Sequence, residues 1–213
     1  MRLRRKPQAQ QMVRKHPRVI LDPERVRGYW KAFFGNNHPL FLELGTGKGQ
    51  FLSRACQQHT EINWIGVERI EEVLLHALQK ADETGCGGNL RFLWLDAKKL
   101  DEVFAEGEVD RIHLHFSDPW PKKRHAKRRL TDRRFLEQYR RMLKKDGFLQ
   151  LKTDNEDLFN FSLEELAKGG FQVTDSTSDL YDSSFDQENI PTEYEEKFTS
   201  QGMPIHFLRA RHM

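Results

Sequence analysis

A chain of 213 residues, 37% of them hydrophobic, has the length of one domain or one domain with a short extension, and its 15 Phe and 4 Trp supply apolar surface for a sizeable core. No apolar run approaches the roughly 20 residues of a membrane-spanning helix, and residues 1–7 lack the apolar stretch and cleavage site of a secretory signal. Cys56 and Cys86 have no metal-type spacing, so the sequence reads as a reduced, cytoplasmic protein without a structural disulfide, a metal or a membrane partner.

Net charge is +3, but its distribution is uneven. Residues 1–40 hold ten Lys or Arg against two acidic residues, and 122–145 hold twelve against two; from 146 to 213 fourteen acidic residues face five basic ones. Two separated basic segments read as patches for a large anion, or as a solvated charged surface.

In chain order, residues 1–38 show no clean period and several Pro and Gly breaks. They read as a basic arm followed by a short helix over 23–34, with Asp22-Pro23 as cap and first residue. Residues 40–44 form an apolar strand, followed by Gly45-Thr46-Gly47-Lys48-Gly49 and a helix over 50–58. Strand, glycine loop and helix in that order let the backbone approach a ligand closely at a helix N-terminus. Strands over 63–68, 90–95, 111–116 and 147–153 follow, with helices from 71 to about 84, over 131–143, and from a cap at Asp154 or Asn155 to Lys168, where Gly169-Gly170 stops it. This alternation predicts an α/β fold with a doubly wound, mostly parallel sheet over residues 39–213, behind a basic N-terminal extension over 1–38.

Each of the five strands carries an acid at or near its carboxyl end: Glu43, Glu68, Asp96, Asp118 and Asp154. Helix capping explains some such placements, Asp154 especially. Ligands bind at that edge in open α/β sheets. Asp118 opens a stiff Asp-Pro-Trp-Pro turn in which each proline restricts its predecessor, and a cationic run begins at Lys122. Trp120 either stacks on a base or packs the turn. Thr192 and Glu195 fit a capping box, and His113 and His115 read as structural neighbours on one strand face.

A dinucleotide site needs Gly-x-Gly-x-x-Gly, whereas the third glycine here comes one residue early. Glu43, two residues before Gly45, would repel a pyrophosphate but suits a cationic ligand. S-adenosylmethionine is such a ligand, with Glu68 accepting from its ribose hydroxyls and Asp96 from its adenine amino group. No phosphate-binding Gly-x-x-x-x-Gly-Lys-Ser/Thr occurs.

Four stretches carry a family resemblance: Glu43-Leu44-Gly45-Thr46-Gly47-Lys48-Gly49; Phe116-Ser117-Asp118-Pro119-Trp120-Pro121-Lys122-Lys123-Arg124-His125; Lys152-Thr153-Asp154-Asn155; and Pro191-Thr192-Glu193-Tyr194-Glu195-Glu196-Lys197-Phe198. In register over nearly the whole chain, the sequence resembles the bacterial tRNA (guanine-N7)-methyltransferases. The resemblance implies a seven-stranded class I methyltransferase fold, S-adenosylmethionine as methyl donor and a variable-loop guanine of tRNA as acceptor. It implies a cofactor site at Glu43, Gly45, Gly47, Glu68, Asp96 and Asp118, with Asp118 also catalytic. It places substrate contacts at Lys122, Asp154, Thr192, Glu193, Tyr194 and Glu195, and RNA contacts at Arg124, Lys127, Arg128 and Arg129. Two other readings of the residues stay open: methylation of an exocyclic amine in RNA, and an RNA-binding protein that keeps the fold without catalysis.

Overall fold

The computed structural model describes residues 8–212, so the expected basic cluster at Arg2, Arg4, Arg5 and Lys6 lies outside the described residues. Its seven strands form a mixed sheet, and the chain divides into two compact units, residues 1–104 and 105–213.

The first unit begins with helix α1 (Ala9–Lys15), which buries Ala9 and Val13. The single helix expected over 23–34 is corrected to two pieces. A 3-10 turn spans Pro23–Val26, Gly28 breaks it at φ +83°, and α2 spans Trp30–Phe34. Only a residue tolerant of positive φ can stand at such a break. Trp30 anchors α2: its ring stacks on Phe104 with centroids 5.3 Å apart, and its indole N–H donates to the Val103 carbonyl. Then come β1 (Leu40–Leu44), α3 (Gln50–Gln58), β2 (Asn63–Glu68), α4 (Glu71–Glu83), β3 (Leu90–Trp94) and α5 (Leu100–Val103). The strand order is β3-β2-β1, all parallel. β1 and β2 are buried along their whole length, as strands covered on both faces must be. The free edge of β3 is closed by the chain before α2: Phe92 N–H donates to the Arg18 carbonyl and Ile20 N–H to the Phe92 carbonyl.

The expectation that the cysteines stay reduced is also corrected. Cys56 in α3 and Cys86 after α4 form a disulfide with Cα atoms 5.9 Å apart. Their separation of 30 residues hides this from the sequence; the packing of α3 beside α4 brings them together, within the Cα range such a bridge requires.

The second unit holds β4 (Val109–His115), α6 (Arg133–Met142), β5 (Leu143–Thr153), α7 (Glu156–Lys168), β6 (Phe171–Thr177), α8 (Glu193–Thr199) and β7 (His206–His212). Its order is β4-β5-β7-β6, with β4 parallel to β5 and the other neighbours antiparallel. In α6, Phe135, Leu136, Tyr139 and Met142 are buried while Arg133, Arg134, Arg140 and Arg141 face outward, the helical period read from the sequence. The strands β6 and β7 lie beyond the five strands expected from the residue pattern and bring the sheet to the seven strands that the family resemblance implies.

Candidate active site

In the first unit the glycine loop is held against the sheet by close packing. Gly45 N–H donates to the Val67 carbonyl at the end of β2. A Cβ at Gly66 would stand 2.7 Å from Thr46 Cγ2 and 2.6 Å from Leu52 Cδ1, so glycine under the loop lets Thr46 and α3 settle onto β2. A Cβ at Gly49 would meet Ala77 Cα of α4 at 2.8 Å, which fixes the start of α3. Gly45 and Gly47 behave differently. Both have positive φ (+79° and +55°), and a Cβ at either would meet nothing within 4 Å. They line open space.

The carboxylates of this unit stand where the sequence places them. Glu43 is buried within β1, paired in register with Gly66. Glu68 closes β2, and its Oε1 accepts from Arg69 N–H at 2.8 Å and Ile70 N–H at 3.0 Å. Burial raises its pKa above the usual carboxylate value, and the N–H groups of Ile70, Arg69 and Gly47 only partly offset this. Asp96 follows β3 and caps a 3-10 turn, accepting from Lys98 N–H at 3.0 Å. Leu95 N–H donates to the Glu68 carbonyl, so the two acids sit at adjoining strand ends. Thr46 Oγ1 and Gln50 Nε2 are buried without a hydrogen-bond partner among the described residues. An open glycine cradle, unmatched polar atoms and a carboxylate held by backbone donors fit a ligand bearing hydroxyls and a positive charge. S-adenosylmethionine suits that donor and acceptor set.

In the second unit the Asp118 loop is strained and braced. Phe116 and Trp120 have φ of +48° and +43°, the only described non-glycine residues at positive φ. Bulky residues held there cost on the order of 1–3 kcal/mol each, so the surroundings must impose the conformation. Phe116 stacks on Tyr194 and Phe198 of α8, at centroid distances of 6.2 and 6.0 Å. Arg129 braces the other end: its Nε donates to the Pro119 carbonyl at 2.9 Å and its Nη2 to the Trp120 carbonyl, while Cζ lies 4.3 Å from the Phe161 ring centroid. Arg129 is therefore buried and spent on the turn, whereas Arg124, Lys127 and Arg128 of the same run are exposed. Trp120 packs within the loop, with Arg128 over its ring at 4.7 Å and His125 edge-on at 5.8 Å. Asp118 and Lys122 are exposed.

Asp154 follows β5 directly. The capping alternative resolves to its neighbour: Asn155 caps α7 by accepting from Leu158 N–H at 2.8 Å, which leaves Asp154 out of the cap. The capping box at α8 forms as read, with Glu195 N–H donating to Thr192 Oγ1 and Thr192 N–H to Glu195 Oε2, each at 3.1 Å. Glu193 is half-buried and Tyr194 exposed. Glu195 differs from both. It is fully buried and paired at 2.6 Å with Lys152 of β5, itself 1% exposed. Lys152, Tyr181 and Asn189 surround this carboxylate, and none of them is a site residue expected from the sequence; a lysine two residues before the strand-end Asp154 is the available signal.

His113 and His115 are buried with ring centroids 5.2 Å apart. Burial first, then the nearby cations Arg111, Lys152 and Arg209 for His113 and Lys152 for His115, push both well below the usual imidazole value, so they stay neutral. No cluster of three or more metal-ligating side chains occurs among the described residues, and none of their helices is long and apolar enough to cross a membrane.

Comparison with known proteins agrees with this geometry. A putative methyltransferase family model matches residues 37–208. A curated tRNA (guanine-N(7)-)-methyltransferase of Lachnoclostridium phytofermentans is 50% identical over 210 residues, covering 99% of this chain and 98% of that one. One of the same name from Brevibacillus brevis is 47% identical over the same shares. Among solved structures, an antibiotic related methyltransferase aligns with TM-score 0.63 at 19% identity, covering 87% of this chain and 94% of that one. The 16S rRNA methyltransferase KamB aligns with TM-score 0.65 at 12% identity, covering 87% and 93%. At such identities the structural likeness speaks for the fold, which is that of class I methyltransferases. The relatives speak for more: with near-full-length identity of about half its residues, the chain belongs to the tRNA (guanine-N7)-methyltransferase family.

Proposed function

We propose that this protein transfers a methyl group from S-adenosylmethionine to N7 of a variable-loop guanine in tRNA. The observation that carries the reading is the 50% identity, over 99% of the chain, to a curated protein named tRNA (guanine-N(7)-)-methyltransferase. The site chemistry supports it. Guanine N7 has an exposed lone pair, so the N7–carbon bond forms as the carbon–sulfur bond breaks, and no proton leaves the nucleophile. The positive charge of the sulfonium ends on the base.

The chain's task is then alignment and charge support. Glu43, Gly45, Gly47, Glu68 and Asp96 would hold the cofactor, which supplies the methyl group. Asp118 and Asp154 would accept from guanine N1–H and N2–H₂, which adenine cannot offer in that pattern, and would stabilise the charge growing on the ring. Lys122, Thr192, Glu193 and Tyr194 would hold the nucleotide. Arg124, Lys127 and Arg128 would meet phosphates, with Arg129 behind them as the brace of the turn. The protein would work where tRNA is, in the cytoplasm. Incubation of unmodified tRNA with labelled S-adenosylmethionine, followed by nucleoside analysis, tests the reading. Label in 7-methylguanosine is expected. Label in an N-methylated exocyclic amine, or no label with intact tRNA binding, would replace it with one of the two other readings.

A further inference from the structure

We propose that Lys152, Tyr181 and Asn189 are positioning residues for the acceptor site, acting through the buried carboxylate of Glu195 to hold the end of β5 and the start of α8 in one register. The inference rests on the proposed methyl transfer and reassigns Glu195 from substrate contact to the centre of this lock.

Lys152 Nζ donates to Glu195 Oε2 at 2.6 Å, to Asn189 Oδ1 at 2.9 Å and to the Ile190 carbonyl at 3.0 Å, which accounts for all three ammonium hydrogens. Glu195 Oε2 also accepts from Thr192 N–H at 3.1 Å, and its Oε1 accepts from Asn189 Nδ2 at 2.6 Å and Tyr181 O–H at 3.1 Å. A carboxylate with 0% exposure and four donors around it has no face left for a nucleotide. What it does have is reach along the chain. Lys152 lies two residues before Asp154, and Glu195 three after Thr192 and one after Tyr194. The lock therefore joins the strand end that presents Asp154 to the turn that presents Thr192 and Tyr194. Burial and the Glu195 charge push the Tyr181 hydroxyl well above the usual phenol value, so it keeps its proton and stays a donor throughout the working pH range.

A buried ion pair is often no more stabilising than an apolar pair of the same size, so stability alone is a weak reason for this one. Geometry is a better reason: six directional hydrogen bonds allow one arrangement, where an apolar pair would allow several.

Tyr181→Phe deletes one donor at a side chain that is 39% exposed and should leave the fold intact. Its single-turnover methyl transfer, at saturating tRNA and S-adenosylmethionine, should fall about tenfold, near the lower end for a hydrogen bond to a charged group, with S-adenosylmethionine affinity within about twofold of the parent by the same reasoning. The double variant Lys152→Met with Glu195→Leu, compared at a temperature where unfolding curves show it native, should fall further with the same split. A folded Tyr181→Phe protein with parental single-turnover rate would overturn the proposal, whatever the double variant does. The parent's product is scored in the same assay. If its label appears outside 7-methylguanosine, the functional reading fails, while the rate ratio at the observed product still decides whether the lock positions the site.

Discussion

Glu68 in the first unit and Glu195 in the second are both buried glutamates beside a turn, yet their surroundings differ in kind. Glu68 has backbone N–H groups as partners, a pKa raised by burial, and an open glycine loop alongside. Glu195 has a lysine, a tyrosine, an asparagine and a backbone N–H, and no exposure. Desolvation that backbone N–H groups and the nearby Arg69 charge offset only in part marks a place where a ligand's hydroxyls could complete the shell. Desolvation with every lone pair answered marks scaffold. On the proposed roles, the same residue type would serve recognition in one unit and register in the other.

The largest effect expected from this contrast is on stability. Lys152→Met leaves Glu195 buried and without its cation, and should cost about 3–5 kcal/mol in urea unfolding. Next come the acids assigned to the acceptor. Asp118→Asn and Asp154→Asn keep size but remove charge and put a donor where guanine offers donors, so turnover should fall by about 10²–10³ with the fold retained, as when one preorganised electrostatic group is removed. The parent's single-turnover rate should stay flat through neutral pH, because no proton leaves the acceptor. A steep alkaline rise in the chemical step would point to an exocyclic amine instead.

Glu68 tests the other half. Glu68→Gln should weaken S-adenosylmethionine binding in calorimetry by roughly 1.5–3 kcal/mol, through loss of charge-assisted bonds to the ribose. Stability should move the opposite way from Lys152→Met. Because the folded pKa of Glu68 is raised, its contribution to stability is fully present below the unfolded value of 4.5 and disappears as pH rises through the folded value. The cofactor-free Gln variant lacks this decline, so its melting temperature should gain on the parent's as pH rises through that window. The smallest effect expected is on RNA affinity: replacing Arg124, Lys127 and Arg128 with Gln should reduce the slope of log affinity against log salt by about one for each phosphate left without its cation. An unchanged slope would make the run a solvated surface.

Local chemistry made much of this legible. Strands β1 and β2 and helix α3 begin and end where alternation, glycine and acid place them, and the capping box of α8 follows from Thr192 and Glu195 three residues apart. What stayed hidden depends on distance along the chain. Lys152 and Glu195 are 43 residues apart and meet only through the antiparallel return of β7 to β5 and the turn before α8. Cys56 and Cys86 meet through helix packing. Arg129 reads as one more cation in a basic run, and only the course of the turn shows that it points inward to the Pro119 and Trp120 carbonyls.

The central claim is that N7 of guanine is the atom methylated, and one substitution in the substrate addresses it without touching the protein. In 7-deazaguanosine the N7 lone pair is replaced by C–H, while N1–H and N2–H₂ remain for the proposed contacts to Asp118 and Asp154. A tRNA carrying 7-deazaguanosine at the variable-loop acceptor should bind with near-parental affinity and accept no methyl group. Undiminished label in that tRNA would contradict the account.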